Sequence, residues 1–286
     1  MNKVFRFRQT RDFGTVMNHS FDFIKAEYKR LGKALLIYVL PFLILTGILL
    51  VFIQSSMMNT MQKGIQPGAN MFQNYSWSQM ASSYTLQLLN FTVLSTVVLS
   101  FINLYISKKG DFELSEIKPT LLKTGGKLLI ANIVVGVFTI VATIMLIVPG
   151  IYLGVVFALV APIIVFENKS LGKALNRSFE LIKNNWWKTF GILIIAGLII
   201  YIFSVILSIP LIASVAVKSF HAAQAQSQPQ LFSSGYIVMS TVISTIQTLA
   251  FTLAFIFISV QYFSLVEEKE RPTLQEKIDK LTEENA

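Results

Sequence analysis

The sequence has no cysteine, only two histidines, and little charge: Asp, Glu, Lys and Arg make up 14% of its 286 residues, against about 25% in a soluble globular domain. The missing cysteine excludes disulfides, thiolate metal sites and cysteine nucleophiles. The missing charge is concentrated in long runs. Leu128 to Phe166 is 39 residues without a charge, and Phe190 to Val217 is 28. A helix that crosses a bilayer needs about 20 predominantly apolar residues. With a mean hydropathy of +0.62, the chain reads as an all-α polytopic membrane protein.

Six spans are predicted, at about 34–54, 83–107, 128–147, 150–166, 190–212 and 236–264. The connections between them alternate in basic charge. Residues 1–33 carry eight Lys and Arg, 108–127 five, 167–189 five and the tail 267–286 four, while the intervening loops hold only Lys63 and Lys218. That pattern of 22 against two predicts a multi-pass protein of the cell (inner, cytoplasmic) membrane with both termini in the cytoplasm. The first apolar run is too extended, and its basic flank too long, for a cleaved signal peptide, so the N-terminus is expected to be retained. All fifteen acidic residues lie on the basic segments, which leaves the predicted outer face with no carboxylate for acid–base chemistry. The net charge of +9 is a topology signal. No nucleic-acid partner is implied, because no aromatic platforms stand beside the basic groups.

Residues 13–37 align without a gap on 171–195, with eight identities in 25 positions, among them Asn18/Asn176, Ser20/Ser178, Phe21/Phe179 and Lys25/Lys183. Both copies have helical period and lead into a span. In the second, Leu171, Leu175, Ser178, Phe179, Ile182 and Trp186 form an apolar face, with Lys173, Arg177, Glu180 and Asn184 opposite. Such a helix suits the membrane interface, with Trp186 and Trp187 at head-group depth. A weaker third copy, 115–130, has Ser115 as its expected N-cap and Pro119 near its first turn. The expected layout is therefore three hairpins: each is preceded by a cytoplasmic interfacial amphipathic helix (168–188 for the second copy), with residues 1–33 as a basic arm and helix, 34–266 as one membrane domain and 267–286 as a tail helix. Thr273 and Glu276 give that tail a capping box, with Leu274, Ile278 and Leu281 on one face.

The stretch 147–194 carries Pro149–Gly150–Ile151–Tyr152, Pro162, Glu167, Ala174, Ser178 and Trp186–Trp187. In these residues it resembles bacterial membrane proteins of the glycerophosphoryl diester phosphodiesterase membrane-domain-like group. The resemblance implies a fold and a membrane setting. It implies no activity, because the chain ends about twenty residues after its last span, where no catalytic barrel can fit.

Candidate contacts for lipid or a partner are Lys25, Lys29, Arg30, Glu167, Lys173, Arg177, Lys183, Trp186 and Trp187, within a basic set that also includes Arg6, Arg8, Arg11, Lys33 and Lys188. Glu167 reads either as a partner of Arg177 or of a lipid ammonium group, or as a carboxylate that ends its span and caps the following helix. Gln87, Asn90 and Asn103 form a candidate polar stripe on the second span, and the sixth carries Thr241, Thr245, Gln247 and Thr252. These could line a pore, but interhelical hydrogen bonding is their ordinary use. No span contains an ionisable relay of the kind ion-coupled carriers use. The methionines at 57, 58, 61, 71 and 80 are too irregular for a Cu(I) site, and Asn74–Tyr75–Ser76 has the form of a glycosylation acceptor. No catalytic constellation, cofactor or metal site is predicted. The functional expectation is a non-enzymatic scaffold or accessory factor whose cytoplasmic helices touch anionic lipid and a membrane or cytoplasmic protein partner. The alternative is a passive channel or lipid or small-molecule exporter using spans two and six. A cytoplasm-facing lipid enzyme would need acids and His19 gathered at one cavity, and the spacing does not give it.

Overall fold

The computed structural model describes residues 5–64, 77–224 and 233–271, with side chains omitted at 58–64. The described residues are helical throughout their regular structure, with no strand. Nine α-helices follow in order: α1 Phe13–Ala34, α2 Leu40–Gly64, α3 Trp77–Ser107, α4 Ile117–Met145, α5 Ile147–Phe157, α6 Val160–Phe166, α7 Leu171–Ile182, α8 Trp186–Gln224 and α9 Ser234–Glu270. Among them are six helical segments long and apolar enough to cross a membrane: 13–57, 77–107, 114–145, 147–166, 186–224 and 234–270. Five of them contain one predicted span each, while the third, 114–145, ends two residues short of the predicted 128–147 because α4 stops before Leu146. The expected tail helix with Thr273, Glu276, Leu274, Ile278 and Leu281, the Asn74–Tyr75–Ser76 triplet, Met71 and the side chains of Met58 and Met61 lie outside the described residues.

Interruptions in the helices have identifiable causes. Pro41 has no N–H for the carbonyl of Ile37, and a π turn over Leu35–Val39 joins α1 to α2 there. Pro162 makes the same demand on Ala158, and the fourth span breaks into α5 and α6 at Ala158–Leu159. Pro210 is carried inside α8. The break between α4 and α5 falls at Leu146, in extended conformation (φ −158°, ψ 136°), so Pro149 and Gly150 lie in the first turn of α5 rather than in the turn itself. Gly150 is needed for another reason. A Cβ there would stand 2.1 Å from Thr143 Oγ1 and 2.7 Å from Thr143 Cα, so only glycine lets the two helices approach.

The two repeat-like segments share a burial register and differ in continuity. Val16, Ser20, Phe23, Leu31 and Ala34 are the buried residues of α1; their counterparts Ala174, Ser178, Leu181, Thr189 and Ile192 are buried too. Yet α1 runs on towards the first span, whereas α7 stops at Ile182 and not at the expected 188. Asn184, at φ +69°, makes the break. Its counterpart in α1 is Ala26, a strong helix former, while Asn tolerates the left-handed conformation.

The chain divides into two compact units. The first comprises Met1–Ile37, Thr92–Leu198 and Thr252–Ala286; the second comprises Tyr38–Phe91 and Ile199–Phe251. The first has an aromatic core in which Phe23 packs against Phe7, Tyr105 and Phe101, at 5.0, 5.3 and 6.5 Å between ring centroids. In the second, α2 meets α9 at Gly47, beside Thr241 and Thr245. Phe91 and Phe251 meet edge to face at 5.9 Å.

Candidate functional site

The densest polar cluster belongs to the first unit and forms where α6, α7 and α9 bring charged termini together. Glu167 is the C-cap of α6, and Asn168 follows at φ +50°, a conformation Asn accepts readily, turning the chain into α7. Arg177 stands on the second turn of α7, and Tyr262 and Glu270, two helical turns apart, share one face of α9. Glu167 Oε1 accepts a hydrogen bond from Tyr262 Oη at 2.7 Å and another from Arg177 Nε at 3.3 Å, while its second oxygen pairs with Lys169. Arg177 Nη2 pairs with Glu270, and Nη1 lies 3.6 Å from Glu180. Lys127 donates to Asn168 Oδ1 at 3.2 Å. The last turn of α9 is tied down at further points: Lys269 donates to the carbonyl of Glu180, Asn185 donates to Glu268 at 3.2 Å, and Lys188 lies 3.7 Å from Glu268.

Burial alone would raise the Glu167 carboxyl above its ordinary value. The hydrogen bonds from Lys169 and Tyr262 and the Arg177 charge outweigh it and hold Glu167 below that value. Burial likewise works against the Arg177 cation, and the bonds to Glu270 and Glu167 overcome it, so its pKa is raised. The arrangement keeps both partners ionised and fastens three helices. Chemically it is an ionic clasp, with Tyr262 donating to a carboxylate whose remaining valence is taken by cations.

Several expectations are corrected here. Arg177 had been placed on the solvent face of its helix, yet only 14% of its side chain is exposed. Phe179, on the expected apolar face, is 40% exposed and meets Phe157 edge to face at 5.7 Å. The helix is rolled so that Ala174, Ser178, Leu181 and Ile182 face inward, because Arg177 is drawn to the acids of α6 and α9. Glu167 ends its span as expected, as the C-cap of α6, but it does not cap the following helix: the N-cap of α7 is Ser170, with no side-chain cap bond. Ser115 is not an N-cap either: Glu113 N–H is met by Glu116 Oε1 at 3.0 Å, and Glu116 also pairs with Lys108.

The candidate cations separate into two sets. Arg30 is consumed inside the protein. Its guanidinium donates to the carbonyls of Gly110 and Phe112, both at 2.8 Å, and lies 4.5 Å from the centre of the Phe112 ring. Gly110, at φ +86°, supplies the turn this clamp requires. Arg11 is 4% exposed and bonded to backbone carbonyls, and Lys188 donates to the carbonyl of Arg11. Lys25, Lys29, Lys173 and Lys183, by contrast, are exposed and have no carboxylate within ion-pair distance among the described residues. Lys29 lies 5.8 Å from the centre of the Tyr28 ring. Trp186 is half-buried, stacked between Tyr152 and Phe190 at 5.9 and 4.9 Å, while Trp187 is 77% exposed.

The polar stripe resolves into different environments. Gln87 is exposed, Asn90 is buried and accepts from Thr46 Oγ1 at 2.8 Å, and Asn103 is half-buried. Other span amides are also bonded between helices: Asn132 to Thr92 at 3.0 Å, Gln247 to the Ser204 carbonyl and Ser208 Oγ at 3.1 Å each, and Gln261 to Thr189 at 2.9 Å. Among the described residues no group of three or more His, Cys, Asp or Glu is placed to hold a metal ion. Sequence reasoning missed Tyr262, Glu268 and Glu270. Tyr262 and Glu270 are eight residues apart on one helix face, with Val266 between them, so the sequence offered no polar period to find them by.

A family model described as a domain of unknown function, DUF7847, matches residues 31–263. The match contains the whole of 147–194, and nothing in it names a phosphodiesterase membrane domain. No curated protein and no solved structure matches the chain. The matched stretch takes in all six candidate spans in whole or in part, together with Glu167, Arg177 and Tyr262: the chain belongs to the DUF7847 family.

Proposed function

We propose that this is a non-enzymatic integral protein of a bacterial inner membrane, a scaffold or accessory factor that engages anionic lipid through its cytoplasmic face. One observation carries the reading. The acids near α7 are consumed by Arg177, Lys169 and Lys188, and Glu116 by Lys108, while Lys25, Lys29, Lys173 and Lys183 are left outward and uncompensated beside exposed Tyr28, Phe179 and Trp187. A surface of lysines and exposed aromatic rings is the composition of a helix resting on an anionic bilayer.

The alternation of basic segments supports cytoplasmic termini and three hairpins. The shared burial register of α1 with α7–α8 supports an internal repeat in which an interfacial helix feeds a span. The resemblance to glycerophosphoryl diester phosphodiesterase membrane domains rests on the Pro149–Gly150 motif and its neighbours, and contributes a setting rather than an activity. A passive channel or exporter draws less support, because Asn90 and Gln247 are spent on bonds between helices.

The test is lipid retention. The protein is extracted from mixed vesicles of phosphatidylglycerol and phosphatidylcholine, and the lipid that stays bound is quantified. Each surface cation near an anionic membrane contributes about 1 kcal/mol. Changing Lys25, Lys29, Lys173 and Lys183 to Gln together is therefore expected to abolish the enrichment of phosphatidylglycerol. Undiminished enrichment in that variant sinks the lipid reading. A stoichiometric protein recovered with the wild type and lost with the variant would support the scaffold role.

A further inference from the structure

The last turn of α9 is laid on α7 in a definite direction. Glu268 accepts from Asn185 at 3.2 Å, Lys269 donates to the carbonyl of Glu180, and Glu270 pairs with Arg177. Successive residues of α9 therefore meet positions 185, 180 and 177, stepping towards the start of α7. Arg271 then ends α9 at φ +48°, its N–H on the Glu267 carbonyl at 3.1 Å, and Pro272 has no N–H to continue the helix. Residues 272–286 thus set out from the middle of α7, tethered there by the pair of Glu270 with Arg177.

The face of α7 that lies ahead of them is open and positive. Gly172, Lys173, Asn176 and Phe179 are exposed, and Lys173 has no carboxylate within ion-pair distance among the described residues. At the entry to the helix, exposed Lys127 donates to Asn168 Oδ1. The tail has the complementary composition: Glu276, Asp279, Glu283 and Glu284 against Lys277 and Lys280. Its capping box, Thr273 and Glu276, starts a helical pattern with Leu274, Ile278 and Leu281 on one face. Arg177 to Lys173 is about 6 Å of helix, so two turns of such a tail reach Lys173. An anionic bilayer repels an acidic amphipathic segment, whereas the lysines beside its tether attract it. The tether itself holds the tail at a high effective concentration over α7.

We propose that residues 272–286 dock as a helix on the outer face of α7, between Phe179 and Lys173, and there compete with anionic lipid for Lys173. Leu274, Ile278 and Leu281 face α7, and the acids of the tail take the place of lipid phosphates beside the lysines. The docking stands on the tether and the complementary charge; the competition rests on the lipid reading proposed above. The tail is then an autoinhibitory cover, displaced where the membrane offers enough anionic lipid.

Two experiments test the two halves separately. In neutral-detergent micelles without anionic lipid, the acetylation rates of Lys173 and Lys29 are followed by mass spectrometry. The comparison is with a full-length variant carrying Leu274→Ser, Ile278→Ser and Leu281→Ser, which keeps every charge. Lys173 is expected to react about fivefold more slowly in the wild type, the factor that about 1 kcal/mol of docking gives, with Lys29 unchanged. Equal rates at Lys173 overturn the docking. So does protection that fades as the protein is diluted among micelles, since that cover comes from another copy. The second experiment measures phosphatidylglycerol retained from mixed vesicles. The triple-serine variant is expected to retain more than the wild type, and Lys173→Gln added to it to remove the gain. Enrichment that is equal in the two chains overturns the competition. If neither chain enriches phosphatidylglycerol, the lipid reading fails and the competition with it, while Lys173 protection still decides the docking.

Discussion

The two units solve the same problem, satisfying polar groups in a chain poor in water-facing surface, with different chemistry. The second unit, Tyr38–Phe91 and Ile199–Phe251, contains no Asp or Glu, and its only Lys or Arg residues are Lys63 and Lys218. It pairs neutral groups: Thr46 with Asn90, Gln247 with Ser204 and Ser208, Gln79 with Ser56. The first unit holds every acid of the described residues and draws Glu167, Arg177, Glu270 and Tyr262 into one cluster. A neutral bond between membrane helices is worth about 0.6 kcal/mol, and its loss leaves no charge behind. An ionic cluster that loses its central cation keeps its carboxylates half-buried and mutually repelling. The comparison predicts that equivalent single changes cost far more in the first unit.

Arg177→Met should have the largest effect. It strands Glu167 and Glu270 together, and the expected loss is about 3 kcal/mol, the lower end of what breaking a buried pair costs. Equilibrium unfolding in mixed micelles measures it, and a loss no greater than that of Asn90→Leu would break the comparison. Gly150→Ala comes next, at about 1–3 kcal/mol for overpacking. Since its Cβ would meet the backbone of Thr143 as well as the hydroxyl, Thr143→Ala should rescue it only in part.

Acidification sharpens the contrast further. Glu167 is held below its ordinary pKa in the folded protein, so its contribution is fully present above the unfolded value, about 4.3. It is lost as pH falls through the lower folded value. Unfolding midpoints followed from pH 6 downward should fall with acid in the wild type, and less steeply in Glu167→Gln. Parallel slopes would remove Glu167 from the account. The smallest effect is expected for Asn90→Leu in the second unit, about 0.6 kcal/mol, with the protein still folded by circular dichroism.

Much of the architecture was legible before any coordinates. The six candidate spans were legible because hydrocarbon tolerates no charge, whereas the breaks near Pro41 and Pro162, though they follow from a missing N–H, show only in the helices themselves. The site was legible in part. Glu167 and Arg177 are ten residues apart with a turn between them, close enough to suspect a pair. Tyr262 and Glu270 lie 95 and 103 residues from Glu167, and no local period points across that distance. The orientation of α7 was misjudged for the same reason: a helical wheel ranks faces by hydrophobicity, and it cannot know that acids from α6 and α9 wait on the inner side.

The sequence by itself determined where the chain can lie in hydrocarbon, because that depends only on runs of side chains and their transfer free energies. The break at Asn184, against Ala26 in the equivalent segment, has a local cause too, yet the helical period over 168–188 hides it. Tertiary structure alone decided which cations are spent and which are left over. Arg11, Arg30 and Arg177 turn inward while Lys25, Lys29, Lys173 and Lys183 stay out. The physical reason is that a planar, forked guanidinium can satisfy several carbonyls or carboxylates at once inside the protein, whereas a strongly hydrated ammonium left without a carboxylate is best kept in water. Which carbonyls and carboxylates come within reach is a matter of packing between distant segments.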